Sequence, residues 1–543
     1  MIGRRPVVLL GVAFAFAAAA SAACARTEPQ SASSIAQVRQ VAYLKAANPD
    51  MGDHFACGGS LPGHIGNAVA ISADGNTVVV GAPHESSAAR GINGNADDNT
   101  LYASGAASVF VRRGGAWVQQ AYVKASNAGQ SDLFGMNVAL SADGNTMAVA
   151  APWERSAAIG INGDQNDDSL PQGGAVYVFT RAGDSWSQQA YVKASNTGRT
   201  AGEGEEIGDG DQFGFSIALS GDGNTMAVGA TTEDSAATGI DGDQADDSAQ
   251  SAGAVYVFAR TGNTWTQQAY VKGSNTEAAD LFGYRVSLSD DGNTLVAAGY
   301  DEDGPGRGVN VDQGNGANGS GAIYVFSRTG TTWRQDAYLK GSRSEANDAL
   351  GYSVAISGDG RTVVAGAADE SCLVGGINPE GCDMDKPEDA SGGSAGAAYV
   401  WVRSGDTWTE QAFLKASNPD LQDWFAVNLA VSADGNTVLV GAPMEDGRAR
   451  GINGEQQDNS ATESGAAYLF TRSGTTWSQH AYIKAENADE FDEFGASVAV
   501  SGDGRTLIIG ARMESGGAAG INGNQNDNST PQAGAVYVWE ASR

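Results

Sequence analysis

Asn162, Asp164, Asn166 and Asp168 stand at alternate positions in the segment GINGDQNDDS, which begins at Gly160. Side-chain oxygens at every second position of such a loop can converge on a hard cation, and calcium takes about six to eight of them. Relatives of the segment begin at Gly91, Gly239, Gly451 and Gly520, and the copy at Gly239 offers Asp241, Asp243 and Asp247. These two loops are the candidate calcium sites. A plainer chemistry competes with the metal. Counted from the first Asn or Asp of the loop, the sixth residue is Asp in all five copies (Asp98, Asp167, Asp246, Asp458, Asp527), and Ser or Thr follows two residues later. A residue kept in every copy serves a need that all copies share. An Asx-turn, in which the carboxylate accepts backbone N–H groups, meets that need without a cation.

Two further groups could carry chemistry. His54, His64 and His84 lie near Cys57, a set suited to metal binding or catalysis, but nothing sets them at ligand spacing. The insertion GEGEEIGDGD brings Glu203, Glu205, Glu206, Asp209 and Asp211 together, either for a cation or as a solvated acidic loop. The chain has no HExxH, no Gly-rich phosphate loop and no nucleophile within a local catalytic motif.

What must position these residues is a repeat. Aligned on the pattern AY-K, Tyr43, Tyr122, Tyr191, Tyr270, Tyr338, Phe413 and Tyr482 mark seven units. The unit around Tyr191 shows the elements. MNVALS and TMAVAAP are short β-rich runs joined by ADGN, while AVYVFTR and SWSQQAYVK are joined by AGDS. Glycine supplies the positive φ that each tight turn needs. Four short strands per unit and almost no helical period predict a four-stranded antiparallel blade, seven times over. A ring of blades leaves no end sheet exposed. The last unit stops after its third strand, and IAQVRQVAYLKA near the N-terminus supplies a spare fourth. The expectation is an all-β, seven-bladed propeller of four-stranded blades, closed by an N-terminal strand that completes the last blade. Val38 opens that strand where the others open with Trp117, Trp186, Trp265, Trp333, Trp408 or Trp477.

The pairs Phe134-Gly135, Phe213-Gly214, Phe282-Gly283 and Phe494-Gly495, with the segments Gly81–Pro83 and Gly441–Pro443, resemble the FG-GAP repeat. This repeat builds the propeller head of integrin alpha chains and of many exported bacterial proteins, and the resemblance spans about residues 35–543. It implies a binding or adhesion role. It also implies calcium in the hairpin between strands one and two, where several aspartates alternate. Here that hairpin carries one acid (Asp74, Asp143, Asp222, Asp434 or Asp503), too few oxygens for calcium.

The net charge of −32, from 64 acids and 32 bases, argues against nucleic acid as a partner. Arg4 and Arg5 precede the apolar run PVVLLGVAFAFAAAA, so residues 1–24 read as a secretory signal and 25–34 as a polar tether before the propeller at 35–543. SAAC makes Cys24 a candidate lipidation site, although Ser21 stands where such a box usually has leucine, and plain cleavage fits as well. Cys372 and Cys382 share one loop and are expected to pair in an oxidising compartment. The protein is expected at the cell envelope, as an outer-membrane lipoprotein, or outside the cell, as a monomer. It would bind a protein or glycan ligand through its long loops, with calcium as an aid, touching the membrane only through the lipid. An envelope assembly role and, less favoured, an enzyme at the channel mouth are the alternatives.

Overall fold

The computed structural model describes residues 37–58, 66–198, 210–382 and 393–542. They form seven antiparallel sheets, each an up-and-down blade. Blade 2 is typical: Asn137–Leu140, Thr146–Ala151, Ala175–Ala182 and Ser185–Val192 run from its first to its fourth strand. In blade 7 the fourth strand is Gln37–Leu44, paired with Ala535–Ser542 so that Tyr43 lies opposite Tyr537. The beginning of the propeller completes its end.

Alternation along each strand builds the core between blades, not within one. On the third strand of blade 2, Tyr177 and Phe179 pack toward blade 1, while Val176 and Val178 pack toward blade 3. Seven such cores join consecutive blades, and one of them packs Phe55, Val69 and Val80 of blade 1 against Ile508, Val536 and Val538 of blade 7. That core closes the circle. The FG and GA glycines are where the blades approach most closely. A Cβ on Gly81 would sit 1.8 Å from the carbonyl oxygen of Gly135, and Gly135 itself has φ +95.

The strand 1–2 and 3–4 turns share one face, called here the hairpin face. The long strand 2–3 loops and the blade-to-blade connections share the opposite loop face. At the hairpin face, Arg181 of blade 2 donates through Nε to Asn145 (3.0 Å) and through Nη1 to Gln120 of blade 1 (3.3 Å). Trp186 Nε1 donates to the same Gln120 oxygen at 2.9 Å, and the guanidinium lies over the indole at 5.3 Å. This latch recurs with Arg260–Trp265–Gln189, Arg328–Trp333–Gln268 and Arg472–Trp477–Gln411.

Candidate functional site

The repeated loop turns out to be an edge cover. A fourth strand is the exposed edge of its blade, with unpaired backbone groups along it. In blade 2, Ile161 bridges to Val192, Asn162 N–H donates to the Tyr191 carbonyl (2.7 Å), and Asn162 Oδ1 accepts the Tyr191 N–H (3.0 Å). Seven residues do this, one per blade: Asn93, Asn162, Asp241, Asn310, Asn378, Asn453 and Asn522, all with φ between 47 and 55. Asn and Asp tolerate that left-handed conformation better than other side chains. The sequence showed five copies; the two others, in GVNVDQ and GINPEG, are too altered to recognise without the strand they cover. In blades 4 and 6 the cover is regular enough to form a fifth strand, Gly308–Val309 and Gly451–Ile452.

Two of the remaining candidate ligands, Asp164 and Asp243, are also occupied locally. Asp164 Oδ1 accepts the Asn166 N–H at 2.9 Å, and Asp243 Oδ1 accepts the Ala245 N–H at 3.0 Å. Asp167 accepts the N–H groups of Ser169 (3.0 Å) and Ala157 (3.1 Å), and Asp246 does the same with Ser248 and Ala236. Asp168 and Asp247 are exposed and face the buried acids Asp132 and Asp211. Among the described residues, no three His, Cys, Asp or Glu side chains gather as a metal site.

Beneath each loop lies a buried ionic cluster that was not anticipated. Lys193 pairs with Glu154 at 2.9 Å, and Tyr191 OH donates to Glu154 at 2.8 Å. Asn127, on the connection leading into blade 2, donates to the same carboxylate at 2.9 Å and accepts from Tyr177 OH. The pairs Lys45–Glu514, Lys124–Glu85, Lys272–Glu233, Lys340–Glu302, Lys415–Glu370 and Lys484–Glu445 repeat it, and every lysine is fully buried. Blade 5 departs, with Phe413 and Arg343 where the others have Tyr and Asn, and so does blade 1, with Ser108 at the position of Tyr177. One more acid joins each cluster, the Asp two residues before the FG pair or its equivalent. Asp132 is 2% exposed and accepts the Gly129 N–H at 2.7 Å. Burial pushes its carboxyl up to about 7, as it does for Asp53, Asp280 and Asp492. Asp348 and Asp423 rise to about 8 and Asp211 well above its ordinary value, again through burial. Burial acts the other way on the lysines, lowering each one. The signal was present in the sequence: a lysine at one repeat position seven times, where strand alternation points inward.

Four segments of the chain, 117–179, 265–326, 408–470 and 477–539, match the FG-GAP repeat family. Each runs from the tryptophan that opens one fourth strand to the third strand of the next blade. This is an FG-GAP repeat propeller. No curated protein sequence matches it. Among solved structures it is similar to a putative 6-phosphogluconolactonase from Bacteroides uniformis, at 10% identity and TM-score 0.41 over 77% of this chain and 85% of that one. It is similar to hydrazine synthase from Kuenenia stuttgartiensis at 12% identity and TM-score 0.41, over 83% and 93%. The WD40 repeats of RRP9 align at 10% identity and TM-score 0.45, over 93% and 98%. Likeness at this level bears on neither chemistry nor partner.

The calcium hairpin implied by the family does not fit this FG-GAP propeller. Asp143 Oδ1 accepts from Ser141 Oγ (2.6 Å) and from the Asn145 N–H (2.9 Å), and its Oδ2 accepts from Asn145 Nδ2 (2.9 Å). Asp74, Asp222, Asp291 and Asp434 make the same three bonds, which fold the turn with no metal.

On the loop face, the first residue after the FG pair or its equivalent converges in five of the blades. Met136, Phe215, Tyr284, Tyr352 and Val427 form one buried cluster there, with Tyr300 stacked on Tyr284 at 4.6 Å. Near the blade 7–1 junction the rings of His54 and His84 meet at 4.7 Å, and burial lowers both imidazoles to about 4. Cys57 is wholly buried beside the Arg512 guanidinium, which also pairs with Glu493. Cys372 and Cys382 form a disulfide in the strand 2–3 loop of blade 5. Asp211, expected in a solvated insertion, is instead 4% exposed. Cys24, His64, Glu203, Glu205, Glu206 and Asp209 lie outside the described residues.

Proposed function

We propose that this FG-GAP propeller is an exported, non-catalytic binding module that holds a protein or glycan through its loop face. One observation carries the reading. Of the eight large apolar side chains exposed among the described residues, seven (Met51, Tyr102, Ile159, Leu373, Val374, Leu421, Phe491) stand on the loop face, and Val118 alone lies on a strand. The hairpin face carries the same short turns in every blade, its polar groups tied into those turns and, in blades 2, 3, 4 and 6, into the latches. Rigid scaffolds place recognition on their variable loops. This reading does not require calcium, since Asn162, Asp164, Asp241 and Asp243 each have a side-chain oxygen engaged with a backbone N–H. On this reading the leader exports the chain, and Cys24 either anchors it or leaves with the leader.

The test shields one face at a time. Gln457→Cys on the loop face and Asp406→Cys on the hairpin face would each carry a polyethylene glycol chain. Retention is then measured on a glycan array and on a displayed random-peptide library. Shielding at 457 is expected to abolish retention that shielding at 406 leaves intact, equally with and without a calcium chelator. Loss with the hairpin-face shield instead would refute the assignment.

A further inference from the structure

We propose that the rim of the loop face across blades 6, 7 and 1 is a docking surface for a basic polypeptide segment carrying aliphatic or aromatic anchors. The proposal rests on the loop-face reading and names its partner. Leu421, Phe491 and Met51, which are 51%, 52% and 75% exposed, occupy the connections entering three consecutive blades. They lie within two residues of Asp420, Asp489 and Asp50, each of which accepts from an Asn of its own blade's long loop (Asn459, Asn528, Asn99). The connections entering blades 2, 4 and 5 carry Gln130, Ala278 and Ala346 beside the corresponding position. Among the described blade-to-blade connections, large exposed apolar side chains are therefore confined to one arc. Tyr102, 66% exposed, extends it on blade 1, where the other long loops carry Pro171, Gln250, Asn318, Thr462 or Pro531.

Three features suit the arc to binding. It is held in place: the Phe491 N–H donates to Thr462 O (2.8 Å), Gly52 to Pro531 (3.1 Å) and, beside Leu421, Trp424 to Ser394 (3.0 Å), so each connection is tied to the preceding blade's loop, and the Tyr102 carbonyl accepts the Ser131 N–H (2.9 Å). Preorganised anchors lose little freedom on association. Phe491 has φ +68, a region that disfavours a bulky side chain, yet its ring is half-exposed and does not repay that strain by burial. Apolar side chains alternate with carboxylates, in a chain of net charge −32. Basic groups on a partner complement that field, whereas an anionic membrane surface is repelled by it. Glycan stacking would draw on tryptophan faces, and the strand-four tryptophans are buried.

The probe is the random-peptide library, panned on the wild type, on the M51S/Y102S/L421S/F491S variant and on I159S, an exposed apolar site outside the arc. Equal melting temperatures of the three proteins confirm intact folds. Retained peptides are expected to be rich in Lys or Arg together with Leu, Met or aromatic residues. Retention should fall about tenfold or more in the fourfold variant, stay unchanged in I159S, and weaken in about 0.5 M salt, where screening shortens to a few ångströms. No basic bias, or full retention by the fourfold variant, overturns the proposal. Glycans or anionic vesicles captured through a loop face that the polymer still blocks would also overturn it, while leaving the loop-face reading intact.

Discussion

Each blade buries two carboxylates against one ammonium. Around Asp132 stand Glu154 and Lys193 of the ionic pair, Asp168 and Arg155 of the long loop, and the phenols of Tyr177 and Tyr191. If Asp132 were ionised, the cluster would hold an uncompensated buried charge, so the fold favours the protonated carboxyl. The sign follows from linkage. A carboxyl raised from 3.8 to about 7 in the folded state binds more protons folded than unfolded between those values. Stability is therefore fullest at the acid end and falls as pH rises through that window, by up to about 1.4 kcal/mol per pH unit for each such group. The lowered lysines act oppositely in the alkaline range, where stability regained with pH offsets part of the loss. Asp132→Asn keeps an acceptor for the Gly129 N–H but cannot titrate. Thermal melts from pH 5 to 9 should show the variant losing less stability than the wild type, with the two curves converging or crossing near neutrality. A constant deficit at every pH would mean that Asp132 is ionised throughout.

At the level of elements, strand order, turns and the closing strand were legible because they depend on local periodicity and on glycine at fixed offsets. The latch was half legible. The tryptophans read correctly as packing between blades, but their bond to Gln120 or Gln189 spans 66 or 76 residues, which no local pattern reveals. Shorter separations, 39 residues for Lys193–Glu154 and 29 for Asn162–Tyr191, still exceed any local pattern and hid the ionic pair and the edge cover. Alternating oxygens are the pattern of a calcium loop and also of successive Asx-turns, and only the neighbouring strand tells them apart. The latch also predicts unequal blade junctions. Trp265→Ala removes a side chain 2% exposed and frees the Gln189 acceptor, so it should destabilise by about 3–5 kcal/mol. Trp265→Phe keeps most of the packing and loses one hydrogen bond, about 1 kcal/mol. Val38→Ala, at the equivalent place in blade 7 where no latch exists, should cost clearly less than Trp265→Ala. Urea unfolding of the three variants orders them, and equal losses at positions 38 and 265 would remove the latch as a stabilising device.

For the whole molecule, the question is whether the seam between first and last strands is weaker than an internal junction. Nothing covalent spans it, yet it has the same interior. Lys45 and Tyr43 come from the start of the propeller and Glu514 from its last blade, joined at 2.9 and 2.8 Å as Lys193 and Tyr191 join Glu154 at 2.9 and 2.8 Å. Arg39 of the closing strand and Arg112 of blade 1 both reach Glu540 at the rim. Lys45→Met leaves Glu514, whose side chain is 1% exposed, buried without its partner, which costs about 3–5 kcal/mol. Lys193→Met does the same inside blade 2. If the seam is equivalent to an internal junction, the two variants should lose similar stability, and Lys45→Met/Glu514→Leu should recover most of its loss. They should differ in failure mode. Losing Lys45 can release a terminal strand and expose the edge of Ala535–Ser542 to another chain, whereas Lys193 lies within continuous sequence. Size-exclusion chromatography after partial heating should therefore show oligomers for Lys45→Met before they appear for Lys193→Met. Oligomers appearing together in both would place the first opening of the ring somewhere other than its seam.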